Sequence, residues 1–219
     1  RRSSDLTAEP FLPAGTVIAR EQTYVHTFYK KEATAQQPAT SKEEGNLVAF
    51  SGPDFKATFD KQSGLLTSYL YKKHEYILNG QGPRPFFWRA PTDNDYGANL
   101  PVRLKAWKEA SYQEPKAESF QVTPGSNATT VKVTYRFPQT EARWNITYKI
   151  YASGVIKVDN RFMAEGDQAP MIPRVGLRMQ LPESFTDLTY YGRGPKENYR
   201  DRRTSQFIGE YAIPVKDMY

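Results

Sequence analysis

Residues 131–150 read Val131-Lys132-Val133-Thr134-Tyr135-Arg136-Phe137-Pro138-Gln139-Thr140-Glu141-Ala142-Arg143-Trp144-Asn145-Ile146-Thr147-Tyr148-Lys149-Ile150. Apolar and polar side chains alternate on both sides of the Pro138-Gln139-Thr140-Glu141 break. A period of two places one face of each segment in a core and the other in water, as in the antiparallel strands of a sandwich.

The same period extends outward. Upstream, Phe55, Ala57 and Phe59 alternate with Lys56, Thr58 and Asp60, and the turn Lys61-Gln62-Ser63-Gly64 leads into residues 65–71 as a hairpin. Downstream, Ser153-Gly154 turns the chain into residues 155–158. Val175, Leu177, Met179 and Leu181 form another alternating set, followed by residues 188–191. Helical spacing is found in one stretch, where Pro101 precedes Leu104, Trp107 and Ala110 or Ser111. At about three turns this stretch is predicted as a lid or connector, not a core element. The fold class is therefore all-β.

Composition narrows the function. The 219 residues suffice for one large β-sandwich or two smaller domains, and 38% hydrophobic with 25% charged residues is ordinary for a globular protein. Aromatic residues reach 14%, which favours pleated, half-buried surfaces; the rings are expected to be mostly core, although such faces also stack on sugars. The net charge of +6 is spread along the chain in short clusters such as Lys30-Lys31 and Lys72-Lys73, which argues against nucleic-acid binding. With no cysteine, disulfides, thiolate metal sites and Cys nucleophiles are excluded. His26 and His74 lie too far apart in sequence to suggest a His-rich metal cluster. No apolar run has the length of a membrane-spanning helix.

Residues 31–45 are polar, contain Pro38 and lack large apolar side chains, a linker composition. Residues 1–30, with Val17 and Ala19 and then Tyr24, His26 and Phe28, hold too few strands for a core and are expected to be the tail of a preceding domain. The main unit is expected over residues 46–219. Its last stretch, residues 211–219, has no polar tail, so a sequence cut at both ends is expected, with unpaired strand edges.

Two dense runs could carry chemistry. The first, residues 86–97, passes from Phe86-Phe87-Trp88 through Arg89 to Asp93-Asn94-Asp95 and Gly97. Aromatic rings beside carboxylates and an amide suit an array of sugar hydroxyls. An EF-hand is excluded, because Leu104 stands where the twelfth-position Glu is required. In purely structural terms, Asp and Asn cap turns, Pro91 fixes the corner, and Arg89 pairs with Asp93 or Asp95. Glycoside hydrolysis needs two carboxyls across the sugar, and nothing in the sequence aims Asp93 and Asp95 that way. The second run is Gly192-Arg193-Gly194-Pro195-Lys196-Glu197-Asn198-Tyr199-Arg200-Asp201-Arg202. It lacks the Gly-Lys-Ser/Thr ending of a phosphate loop and reads as a tight corner, with Glu197, Arg200, Asp201 and Arg202 forming ion pairs around it. Asn127-Ala128-Thr129 and Asn145-Ile146-Thr147 match glycosylation sequons, which have meaning only in a secreted eukaryotic protein.

On these residues a family resemblance rests. Arg89-Ala90-Pro91-Thr92-Asp93-Asn94-Asp95-Tyr96-Gly97, followed by Trp107, resembles the signature of the C-terminal, small-chain-like domain of family 2 β-galactosidases. Residues 192–202 and the closing Val215-Lys216-Asp217-Met218-Tyr219 resemble its second and third conserved stretches. Phe59-Asp60-Lys61-Gln62-Ser63-Gly64-Leu65 matches its early hairpin, and residues 12–24 are similar to the end of the immunoglobulin-like domain that precedes it. The resemblance implies an antiparallel supersandwich of galactose-mutarotase type, incomplete here, with a short N-terminal β remnant. It implies a parent that hydrolyses terminal β-D-galactose residues with retention, through two Glu on a (β/α)₈ barrel that no part of this chain resembles. No catalytic residue is then expected here. Arg89, Asp93, Asn94, Asp95 and Gly97 would lie beside the substrate pocket, shaping it without cleaving bonds. No cofactor is implied for this segment, and for the parent a divalent cation (Mg or Ca) and Na. The implied partners are the β-galactoside, the other domains and further copies of the parent. A bacterial cytoplasm or periplasm suits such a parent, and the sequence leaves localisation open.

Two rivals stand beside this reading. One is a free-standing carbohydrate-binding module. The other is a mutarotase-like epimerase, for which neither His26 nor His74, in a Lys-rich turn, is a well-placed base.

Overall fold

The structure is a computed structural model and describes residues 2–4, 7–8, 10–23, 37–166, 170–196, 198 and 203–218. Two short strands, β1 (Arg2–Ser4) and β2 (Val17–Arg20), pair antiparallel. Next come β3 (Thr40–Glu44), β4 (Leu47–Ser51), β5 (Phe55–Asp60), β6 (Leu66–Tyr71) and β7 (His74–Glu75), which form one antiparallel sheet in sequence order. After β8 (Arg84–Phe86) the chain makes three helices, α1 (Asp93–Gly97), α2 (Leu100–Arg103) and α3 (Lys105–Tyr112). It returns to strands with β9 (Ser119–Thr123), β10 (Thr129–Phe137), β11 (Ala142–Ile150) and β12 (Ile156–Ala164), a four-stranded antiparallel sheet ordered β12-β11-β10-β9. Then β13 (Gly176–Arg178) pairs with β8, and β14 (Asp187–Gly194) pairs with β15 (Phe207–Pro214).

The chain divides into two compact units, residues 33–182 and residues 1–32 together with 183–219. The larger one is an all-β sandwich. The 131–150 stretch becomes β10 and β11, in register from Thr129 opposite Ile150 to Phe137 opposite Ala142. Their inward positions Val131, Val133, Tyr135, Trp144, Ile146, Tyr148 and Ile150 are all buried. Facing them are Val48, Phe50, Phe55, Ala57 and Phe59 of the other sheet, and Phe59 meets Tyr148 edge-on at 5.0 Å. The 61–64 turn closes β5 onto β6 as expected: Asp60 accepts from the backbone and hydroxyl of Ser63, and Gly64 takes φ +74°.

Several elements differ from the sequence reading. Thr40–Glu44, polar enough to pass for linker, is an edge strand; every one of its side chains is exposed, so it needs no apolar alternation. The helical stretch is not a lid outside the core: Trp107 is 1% exposed and Leu104 4%, and both belong to the hydrophobic cluster. The Val175, Leu177, Met179 and Leu181 set is exposed, and only Gly176–Arg178 of that stretch is strand.

In the smaller unit, β14 and β15 form a hairpin from Asp187 opposite Pro214 to Gly194 opposite Phe207. Residues 183–219 group with residues 1–32 in this unit. The Gln22 side chain joins the two parts by donating to Ile208 O and accepting from Ile208 N, both at 2.7 Å. The expected strand through Tyr24, His26 and Phe28 lies outside the described residues.

Candidate functional site

The aromatic head of the first motif is structural. Phe87 is fully buried in a cage of rings, with Trp107 at 4.8 Å, Phe137 at 5.0 Å and Trp144 at 5.4 Å. Its backbone N–H donates to Ser111 Oγ at 2.9 Å, and that hydroxyl donates to Trp107 O at 2.7 Å. Trp107 Nε1 in turn donates to Pro170 O. The run Phe86-Phe87-Trp88 thus ties β8 to α3 and the sheet, and Phe87 offers no face to a sugar.

Beyond it the motif splits into two halves. The inner half is a clamp. Arg89 meets Asp95 in a bidentate ion pair, Nη1 to Oδ2 at 2.5 Å and Nη2 to Oδ1 at 2.8 Å. Of the two partners open to Arg89 in the sequence, the structure selects Asp95. Thr92 N and Oγ1 also donate to Asp95 Oδ2, and Asp95 N donates back to Thr92 Oγ1, a reciprocal cap on α1. The Arg89 guanidinium, helped by the Thr92 amide, holds the Asp95 carboxyl down from its ordinary 3.8 to about 2. Asp95 is 8% exposed and its charge is spoken for. A carboxylate so committed serves neither as a general acid nor as a free cation ligand.

The outer half faces away. Asp93, Asn94 and Gly97 are exposed, and the Asp93 and Asn94 side chains make no hydrogen bond to another described residue. Gly97 has no positive φ, and a Cβ there would meet nothing within 4 Å. Neither backbone conformation nor internal space calls for glycine at that position. Beside the clamp is a cavity of about 150 Å³, bounded by Trp88, Arg89, Asp95, Leu104, Met171 and Ile172.

The sequence missed Thr92 as a functional partner, although Thr92-x-x-Asp95 is a readable capping signal. It also missed Arg84, 8% exposed, whose Nη2 donates to Ser111 O and Gln113 O; no local pattern marks it. His74 is exposed on β7, and His26 lies outside the described residues. Of the second motif, Glu197, Tyr199, Arg200, Asp201 and Arg202 lie outside as well. Its described part holds Arg193, which donates to Arg203 O and Gln206 O. Among the described residues, no three His, Cys, Asp or Glu side chains group as a metal site, and no helix is long and apolar enough to cross a membrane.

The fold and site thus define an antiparallel all-β sandwich domain braced by the Arg89–Asp95 clamp. The chain belongs to the beta galactosidase small chain family, whose model matches residues 51–219. Its relatives include a beta-galactosidase of Priestia megaterium (strain DSM 319 / IMG 1521), 33% identical over 84% of this chain and 17% of that protein. Others are beta-galactosidases of Clostridium acetobutylicum, 34% identical over 75% of this chain and 18% of that protein, and of Streptococcus thermophilus, 30% over 97% and 20%. The chain thus spans 17–20% of the length of these curated relatives.

Proposed function

We propose that this chain is a non-catalytic wall of a retaining β-galactosidase, which hydrolyses terminal β-D-galactose residues with a Glu pair on a separate barrel domain. The observation that carries its role is the division of the 89–97 motif. Arg89, Thr92 and Asp95 spend their polar groups on holding α1, whereas Asp93, Asn94 and Gly97 are held outward with no internal task. A rigid base under an exposed carboxylate, amide and glycine suits a surface that meets something outside this chain. In this reading that surface is the edge of the sugar pocket, approached closely at Gly97, where a side chain would intrude. Positioning of this kind needs a preorganised supporting shell, and the bidentate clamp supplies it.

The described acidic groups do not fit the divalent cation that the resemblance implies, since Asp95 is committed to Arg89 and no acidic cluster surrounds Asp93. The test is turnover of a chromogenic β-galactoside by the purified 219-residue chain. No turnover above a boiled control is expected, and robust turnover by the chain alone would overturn the proposal.

A further inference from the structure

The β8–β13 ladder sets Arg84 directly opposite Arg178. Residues directly opposite in an antiparallel pair project on the same face, and like charges placed so destabilise the pair. Neither arginine forms an ion pair with a described residue. Arg84 is 8% exposed, and the acceptors of its guanidinium are all neutral: Gln81 Oε1 at 3.3 Å, Ser111 O at 3.1 Å and Gln113 O at 2.5 Å. A guanidinium has five N–H donors, so Nε–H and one Nη1 hydrogen are left without a described acceptor. Burial of a cation without a counter-charge is costly, which makes an anion the natural complement.

The second arginine is held in place by rings. Arg178 Cζ lies 5.3 Å from the Phe86 centroid and 5.9 Å from that of Tyr112, and the two rings meet edge-on at 5.4 Å. This aromatic corner fixes the guanidinium while its N–H groups make no hydrogen bond to a described residue. Between the two arginines is a cavity of about 100 Å³, bounded also by Gln81, Ser111, Tyr112 and Gln180. That is well below the ~300 Å³ at which pockets for larger organic ligands begin. Its size and donors suit a small, planar or tetrahedral oxyanion.

We propose that the Arg84–Arg178 cavity binds a small oxyanion, a phosphate or a carboxylate, which neutralises the facing guanidiniums. The site lies apart from the Arg89–Asp95 clamp and does not depend on the galactosidase reading. Inorganic phosphate and sodium acetate are titrated separately into the 219-residue chain by calorimetry at pH 7, with ionic strength held constant by sodium chloride. Saturable one-to-one binding of at least one anion is expected. In Arg178→Gln, an exposed substitution, affinity should fall about tenfold or more, the scale of one lost charged hydrogen bond. In Lys132→Gln, on the outer face of β10, affinity should be unchanged. Binding of phosphate alone assigns a free tetrahedral oxyanion, and binding of acetate alone assigns a carboxylate such as an Asp or Glu side chain docking there. No saturable binding of either anion, unchanged affinity in Arg178→Gln, or an equal loss in Lys132→Gln would each overturn the proposal.

Discussion

Asp95, which the family resemblance sets beside a substrate pocket, spends its carboxylate on Arg89 and Thr92 within the chain. Asp93 and Asp95 are two residues apart, yet only Asp95 turns inward to meet Arg89 and Thr92. Because its folded pKa lies near 2, below the ordinary 3.8, the stabilisation is fully present above 3.8 and is lost as pH falls through 2. Asp95→Asn should therefore lower the urea midpoint at pH 7, and its difference from the wild type should shrink between pH 4 and pH 2, within about that window. A difference independent of pH over that range would show that the clamp does not act through the charge. The motif was legible as a set of residues, and Thr92-x-x-Asp95 carried a capping signal. That signal singles out Asp95 over Asp93 as the inward carboxylate, whereas its pairing with Arg89 rests on the fold around it. Arg84 left no trace, since two of its three acceptors are backbone carbonyls 27 and 29 residues away.

The elements divide by how local their causes are. The β5–β6 and β10–β11 hairpins were readable because strict alternation and a turn residue act within a few positions. At Gly64 both demands coincide: φ is +74°, and a Cβ would lie 2.5 Å from Val133 Cγ1 and 2.6 Å from the Tyr135 hydroxyl. Gly64→Ala should cost about 1–2 kcal/mol for the left-handed backbone and about 1–3 kcal/mol more for overpacking, measured by urea denaturation. The core role of α3 was not readable, because eight residues give few helical repeats and the contacts of Trp107 come from Phe87 and Pro170. Trp107→Ala should destabilise by about 3–5 kcal/mol; a change below about 1 kcal/mol would return α3 to the role of a connector.

On the scale of the molecule, alternation told which residues are apolar on one side but not whether that side is covered. Met171 is 60% exposed and Val175 50%, with Leu177, Met179 and Leu181 exposed along the same stretch. Apolar residues arranged this way favour association. The 219-residue chain should sediment with concentration-dependent self-association, and Leu177→Lys with Met179→Lys should reduce it; ideal monomeric sedimentation at high concentration would speak against an adhesive stretch.

The claim that this segment positions a sugar without cleaving it is tested most directly by kinetics of a full-length β-galactosidase carrying this segment. Asn94→Ala and Asp93→Ala are compared with the wild type on a chromogenic β-galactoside. The expected result is a KM raised about three- to tenfold, the scale of a lost hydrogen bond, with kcat within about twofold. A fall in kcat of about a thousandfold, as when a reacting group is removed, would contradict it, and so would kinetics unchanged in both variants.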